Sequence, residues 1–320
     1  MSRISVVIPV FNEADNLEML HERLQALGAS GEDDYELIFV DDGSSDGSLD
    51  IIRRLSRERS NVGYLSFSRN FGHEAATTAG LDHATGEATV IIDADLQDPP
   101  EVIPQLVGKW REGYEVVYAT RRTRKGEKTG KRLTAWLFYR LINRLSDVPI
   151  PVNTGDFRLM DRRVVESFRG CREQSRFVRG LIAWTGFRQA SVAYEREPRL
   201  SGETKYGLFK LVHLAFDAVT GFSTIPLRVG VLVGMLVCGL AMVVALWVAA
   251  NKLFWGIPIP GYAMLATGLF FLGGVQLFVT GLVGSYVGRI YREVKKRPLY
   301  IVADRSESLQ SPGKENGSTG

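Results

Sequence analysis

Hydrophobic and polar positions follow two rhythms between Ile4 and about Ala119. Short β-branched and apolar runs at Ile4–Val10, Tyr35–Val40, Val62–Phe67, Ala88–Ile92 and Glu115–Ala119 predict strands. Between them Leu17, Leu20, Leu24 and Leu27, then Leu49, Ile52 and Leu55, recur at helical spacing. Strand and helix alternating in this way predict an α/β fold with a mainly parallel sheet and helices on both faces. Ligands of such sheets sit at the carboxyl ends of the strands, so the residues that follow each strand are the ones to read for chemistry.

The rhythm changes after Thr120. A basic stretch, Arg121 to Arg132, contains one acid, Glu127. Leu133–Leu145 and Tyr206–Phe222 then carry apolar and aromatic residues at helical spacing, as expected of amphipathic helices lying in a headgroup layer or packing on the sheet. Farther on, Val229–Ala250 and Phe254–Gly288 contain no charged residue, and each supplies the roughly 20 apolar residues a bilayer crossing requires. Arg228 precedes the first run, and Arg289, Arg292, Lys295, Lys296 and Arg297 follow the second; the connector carries only Lys252. That asymmetry places both termini and the large domain on the cytoplasmic side of the cell (inner) membrane. The expected organisation is a catalytic domain over residues 1–200, an interfacial helix region over 201–226 and a first span over 227–250. An external loop over 251–261, a second span over 262–288 and a cytoplasmic tail over 289–320 complete it. From Ser306 onward the tail is rich in Ser, Gly and Glu with no apolar face, and disorder is expected there. Gly284 and Gly288 have the spacing that lets spans approach closely, a weak pointer to a homo-oligomer.

Composition narrows the function classes. Lys and Arg total 39 against 36 Asp and Glu, a formal charge of +3, which argues against a nucleic-acid binder. Cys171 lies in a polar region and Cys238 in an apolar run, so no disulfide is expected. Met1-Ser2-Arg3 leads straight into a strand-like run, and no leader peptide is expected.

Three polar clusters follow three of the predicted strands. In the first, Pro9-Val10-Phe11-Asn12-Glu13, no glycine occurs before Gly28, which removes both the dinucleotide-binding turn and the P-loop as phosphate cradles. Another way of neutralising phosphate is then needed, and a metal is the natural candidate. The second cluster is Asp41-Asp42-Gly43-Ser44-Ser45-Asp46-Gly47; Asp41 and Asp42 suit a nucleoside, and Ser45 or Asp46 suits a helix cap. The third is Asp93-Ala94-Asp95-Leu96-Gln97-Asp98, oxygen donors of the kind that hold Mg²⁺ or Mn²⁺ together with substrate phosphates. No Cys/His spacing suggests zinc. His73 reads equally well as a loop hydrogen-bonding residue or as a neighbour of the nucleotide.

These clusters, with Ser68-Arg69-Asn70-Phe71-Gly72, Asn153-Thr154-Gly155-Asp156-Phe157-Arg158 and Arg199-Leu200-Ser201-Gly202-Glu203-Thr204-Lys205-Tyr206, resemble the signature set of family 2 glycosyltransferases. Within that family the chain is similar to the polyisoprenyl-phosphate glycosyltransferases, namely dolichol-phosphate mannose synthases and bactoprenol glucosyltransferases of the GtrB type. The resemblance runs from Ile4 to about Arg297. It implies a glycosyltransferase A-type nucleotide-sugar domain that takes a UDP-sugar, with glucose favoured, and transfers hexose to a polyprenyl phosphate such as undecaprenyl phosphate. It also implies Mg²⁺ or Mn²⁺, a lipid bilayer and a homo-tetramer as partners. By position, Pro9, Glu13, Asp41, Asp42, Arg69, Asp93 and Ala94 would face the nucleotide, and Asp93, Asp95 and Gln97 the metal. Arg121, Arg132, Arg199 and Lys205 would bind phosphates of donor or acceptor. Asp156 stands where a catalytic base or an acceptor-positioning acid is proposed.

Charge arithmetic qualifies the last role. A lipid monophosphate has a second pKa near ~6 and is largely ionised at neutral pH, so it needs no base to become a nucleophile. Bringing two anions together and stabilising the departing diphosphate are the harder tasks, which favours metal and cations over Asp156. In-line attack at the anomeric carbon would invert its configuration. Other acceptors (diacylglycerol, a growing polysaccharide) and a catalytically silent nucleotide-sugar-binding scaffold are the competing readings; a Q-x-x-R-W acceptor signature of processive synthases is absent.

Overall fold

A computed structural model describes residues 1–29, 32–121, 154–174, 176–195, 225–255 and 261–309. In chain order the strands are β1 (Arg3–Val10), β2 (Asp34–Asp41), β3 (Val62–Phe67), β4 (Ala88–Ile91), β5 (Val116–Arg121), β6 (Thr154–Asp161), β7 (Gln189–Tyr194) and β8 (Val302–Arg305). The helices are α1 (Ala14–Ala29), α2 (Ser48–Glu58), α3 (His73–His83), α4 (Ile103–Arg111), α5 (Arg162–Gly170), α6 (Val178–Trp184), α7 (Ile225–Trp255) and α8 (Tyr262–Val294).

The strands form one sheet in the order β7-β5-β6-β4-β1-β2-β3-β8. The pairs β1–β2, β1–β4, β2–β3 and β5–β7 are parallel; β4–β6, β5–β6 and β3–β8 are antiparallel. The sheet is therefore mainly parallel but mixed, and the five strands expected from apolar runs are all present. One core cluster joins Leu17, Leu20 and Leu24 of α1 to Ile8, Phe39 and Leu106; a second joins Val7, Ile38 and Leu65 to Ala76, Met160 and Phe168. Each face of the sheet is thus covered, which is why its strands read as continuous apolar runs.

Helix α3 lies against β1 with Ala75, Ala76, Ala79 and Gly80 buried. A Cβ on Gly80 would come within 2.1 Å of Val7 Cγ1, so the close approach needs glycine there. Helices that pack through small side chains have no strong apolar periodicity, which is why α3 has no leucine pattern. At the far edge the chain that follows α8 returns to the domain. β8 pairs with β3, and Leu309 packs buried against Gly63. The start of the tail expected to be disordered is instead ordered here: Ser306 bonds to the Tyr64 backbone and Glu307–Leu309 form a short 3₁₀ turn.

Two compact units are present. One contains the sheet domain with residues 297–309, and the other contains α7 and α8. Val229–Val248 and Gly268–Val294 are long and apolar enough to cross a membrane, with mean hydropathies of 2.7 and 1.6. Their helices meet near Gly230, where a Cβ would lie 3.9 Å from Val279 and Leu282. The expected amphipathic helices 133–145 and 206–222 lie outside the described residues.

Candidate active site

The carboxyl ends of β1, β2 and β4 open on one edge of the sheet. Because β6 runs antiparallel to β4, its amino end arrives at that same edge. Ile91 pairs with Arg158, and continuing this register two residues on each strand sets Asp93 opposite Asp156. β5 and β7 bring Arg121 and Tyr194 to the edge as register partners.

On the β1–β2 side the acids hold backbone. Asp41 and Asp42 are 1% and 3% exposed. Asp41 accepts hydrogen bonds from the Ser44 N–H (3.1 Å) and the Ser66 hydroxyl (2.9 Å). Asp42 accepts from the Phe71 N–H at 2.6 Å and the Gly72 N–H at 2.9 Å. Burial raises the pKa of Asp42, opposed by those two amides. All four oxygens of the two acids therefore have protein donors, and their visible work is to tie the 41–47 loop to β3 and to the 68–72 loop. Gly43, at φ +71°, lies against that second loop, and a Cβ would come within 2.6 Å of the Arg69 carbonyl carbon. Asp46, one residue before the Gly47 N-cap of α2, accepts from the N–H groups of Ser48 (2.9 Å) and Ala14 (3.2 Å), the first residues of α2 and α1.

Pro9 is buried in β1. Glu13 accepts from the Asn16 side chain at 2.6 Å, and its N–H donates to Ser48 Oγ at 3.0 Å. Arg69 is exposed; its guanidinium sits 3.9 Å above the Phe71 ring and donates to the Asn70 carbonyl. Ala94 is buried, and Leu96 takes φ +58° in a turn where Asp95 Oδ1 accepts from the Gln97 N–H at 3.1 Å. Asp98 is fully buried and accepts the Tyr194 hydroxyl hydrogen bond, fastening the β4 loop to β7.

On the β4–β6 side the acids hold cations. Arg179, at the start of α6, grips Asp156 with two hydrogen bonds of 2.7 and 2.8 Å. His73, opening α3, lies 3.5 Å from Asp156 and 3.7 Å from Asp93. Arg158 is fully buried beneath, donating to the Gly155 carbonyl at 2.9 Å and lying 3.5 Å from Asp156, with its guanidinium 5.1 Å from the Tyr118 ring centroid. Burial alone would raise the pKa of Asp156, but Arg179 and His73 hydrogen bonds outweigh it and hold the carboxyl well below the usual range. Burial would lower His73, yet Asp156 and Asp93 push it up to about 9, so the ring is an imidazolium at neutral pH. Burial lifts Asp93 to about 6, eased by His73 and reinforced by Asp156, Asp98 and Asp95.

His73, Asp93 and Asp156 bring potential ligand atoms within 4.8 Å of one another. One feature counts against that trio as a complete metal cage: Asp156 already receives a bidentate guanidinium. Asp93 differs from Asp156, since its buried Oδ1 has no hydrogen-bond partner. With Asp95 two residues along, the donor set at the β4 end suits a hard divalent cation. The side chain of Arg121, and Arg132, Arg199 and Lys205 altogether, lie outside the described residues. Sequence reasoning left His73 undecided and did not single out Arg179. Arg158, two residues after Asp156 on one strand, offered a signal because alternate strand residues share a face.

Residues 5–169 match Glycosyl transferase family 2. Relatives span nearly the whole chain. The uncharacterized glycosyltransferase sll0501 of Synechocystis sp. is 47% identical over 94% of this chain and 95% of its own length. The prophage bactoprenol glucosyl transferase homolog of Escherichia coli is 42% identical, covering 94% of this chain and 98% of that protein. The bactoprenol glucosyl transferase of Shigella phage SfII is 43% identical, covering 94% and 97% respectively. With an acid-rich strand edge in a mixed, mainly parallel sheet and relatives matched from end to end, the chain belongs to glycosyl transferase family 2, in the group of the GtrB-type bactoprenol glucosyltransferases, and is a hexosyltransferase.

Proposed function

We propose that this enzyme transfers glucose from UDP-glucose to a polyprenyl phosphate, undecaprenyl phosphate being the expected acceptor, at the cytoplasmic face of a membrane. The observation that carries the reading is the buried Oδ1 of Asp93, which accepts no hydrogen bond and stands beside Asp95 at the strand edge, in a chain 42–43% identical to bactoprenol glucosyl transferase relatives. Asp93, Asp95 and Gln97 would hold Mg²⁺ or Mn²⁺, which when bound neutralises diphosphate charge. The 41–47 and 68–72 loops, with Pro9, Glu13 and Ala94, form the wall for the nucleoside. Arg69 and Arg121, with Arg132, Arg199 and Lys205, are proposed to meet the phosphates.

An acceptor phosphate oxygen attacks the anomeric carbon from the side opposite the diphosphate. The new carbon–oxygen bond forms as the old one breaks, and its electron pair leaves with UDP, inverting the configuration. No proton has to be taken from an ionised acceptor. Asp156, held ionised by Arg179 and His73, positions those cations and the sugar rather than acting as a base. Helices α7 and α8, with Arg228 in the first turn of α7 and Arg289, Arg292, Lys295, Lys296 and Arg297 at and after the end of α8, support a two-span anchor with cytoplasmic termini.

The test uses the purified full chain, labelled UDP-glucose, undecaprenyl phosphate and Mg²⁺. Labelled glycolipid is expected, abolished by EDTA and reduced on the order of 10²–10³-fold by Asp95→Asn. Transfer to diacylglycerol instead, or an unimpaired Asp95→Asn enzyme, overturns the proposal; UDP-galactose, UDP-N-acetylglucosamine and GDP-mannose in parallel fix the donor.

A further inference from the structure

The segment that follows α8 does more than cover a sheet edge. Six residues after Val294 the chain reaches Tyr300, more than a hundred positions beyond the family match at residues 5–169. The Tyr300 ring stacks on Phe67, the last residue of β3, with centroids 5.1 Å apart and planes 14° from parallel. Phe67 meets Phe71 edge-on at 5.7 Å. Phe71 is the residue whose N–H is held by Asp42, and over whose ring Arg69 lies. The next residue, Ile301, accepts a hydrogen bond from the Ser68 N–H at 3.0 Å through its carbonyl. The Tyr300 hydroxyl donates to Asp82 of α3 at 2.8 Å, and Asp82 also receives Arg172 at 2.8 and 3.0 Å. Tyr300 thus touches both supports of the 68–72 loop: the strand that enters it and the helix that leaves it with His73 at its head.

A second set of contacts fastens the segment farther from that loop. Asp304 accepts from Arg53 at 2.7 and 3.0 Å and from the Tyr64 hydroxyl at 3.0 Å. Ser306 exchanges hydrogen bonds with the backbone of Tyr64. These contacts anchor β8, and none of them reaches residues 68–72.

We infer that Tyr300 is a positioning residue for the donor site: stacked on Phe67 and bonded to Asp82, it fixes the 68–72 loop in the shape that binds the UDP moiety. The inference rests on the proposed placement of the nucleoside beside the 41–47 and 68–72 loops. The segment just after the second apolar helix is then part of the nucleotide wall, although it stands at the opposite end of the sequence. Its effect should fall on donor affinity, since Tyr300 is not among the groups at the reacting centre.

The experiment measures UDP binding with Mg²⁺, and KM and kcat for UDP-glucose, on the purified full chain and three variants. Tyr300→Ala is expected to weaken UDP binding and raise donor KM about three- to tenfold, the scale of one aromatic pair, with kcat held within about twofold. Tyr300→Phe, which keeps the stack, restores most of the affinity. Asp304→Ala lowers thermal stability yet leaves donor affinity at the wild-type value. Hydrogen exchange should quicken at the Phe71 and Gly72 amides in Tyr300→Ala and remain unchanged in β1 and β2. If Tyr300→Ala does not fold, Tyr300→Leu, which keeps bulk without the ring, is read by the same criteria. Unchanged UDP affinity and exchange in the ring-less variant overturn the inference, as does an equal loss of affinity in Asp304→Ala. A wild-type chain that binds no UDP fails at an earlier step, and overturns the functional reading together with the inference.

Discussion

The two halves of the strand edge spend their carboxylates differently. On the β1–β2 side Asp41, Asp42 and Asp46 take hydrogen bonds from backbone amides and serine, and the outcome is a pair of interlocked loops. On the β4–β6 side Asp156 is surrounded by Arg179, Arg158 and His73, while Asp93 keeps an oxygen that faces His73 at 3.7 Å and accepts no hydrogen bond. An amide donor is fixed in place and needs only an acceptor. A guanidinium or imidazolium needs a negative charge. The first side is therefore built to keep shape, and the second to keep a charge pattern into which anions and a cation can enter.

Asparagine substitution separates the two uses, because it preserves an acceptor oxygen and removes the charge. Asp156→Asn should cost about 3 kcal/mol, the low end for breaking a buried ion pair, since Arg179 is 32% exposed. Asp42→Asn should cost about 1 kcal/mol, because one amide bond survives. Thermal or denaturant unfolding of the full chain in detergent reads both. Equal costs would erase the distinction between the sides.

The same contrast explains what could be read beforehand. The shape-keeping side was legible in outline: β-branched runs gave the strands, and the acids after β2 marked the edge. Their individual uses were not legible, because an aspartate that clamps amides and one that binds ribose look alike in a sequence. The cation-holding side depends on long-range register. Asp93 and Asp156 meet only because β6 runs antiparallel beside β4, and β6 lies in a stretch whose pattern is irregular. Arg179 comes from α6, a seven-residue helix with no motif of its own. β8 was hidden for another reason: four residues of alternating burial, Val302–Arg305, are too few to stand out in a charged tail.

A smaller effect tests the shape-keeping side alone. Asp46 joins the starts of two helices through the N–H groups of Ala14 and Ser48, so Asp46→Ala should cost about 1–2 kcal/mol, while Asp46→Asn should recover most of it. Asp46→Asn, which keeps those ties, should leave donor KM nearly unchanged. A large KM increase in Asp46→Asn would mean that Asp46 itself contacts the donor as well as holding the two helix starts.

The smallest effect belongs to the other side and is a matter of pH. His73 faces Asp93 from the β4 end, Asp156 from β6, Asp42 from β2 and its own neighbour Glu74. Its folded-state pKa is raised from 6.5 to about 9, so the folded protein binds that proton more tightly than the unfolded chain does. The resulting stability is complete below about 6.5 and is lost as pH rises through about 9. Asp93, raised from 3.8 to about 6, adds to the fall only at the acid end of that window, so its upper part reports His73. In EDTA the wild-type melting temperature should therefore drift down between pH 6.5 and 9, and His73→Gln should flatten the drift. The imidazole side chain is 43% exposed, and solvent screening keeps the change modest. A wild-type curve as flat as that of His73→Gln would mean that the ring is neutral, and the cation-holding side would then rest on Arg179 and Arg158 alone.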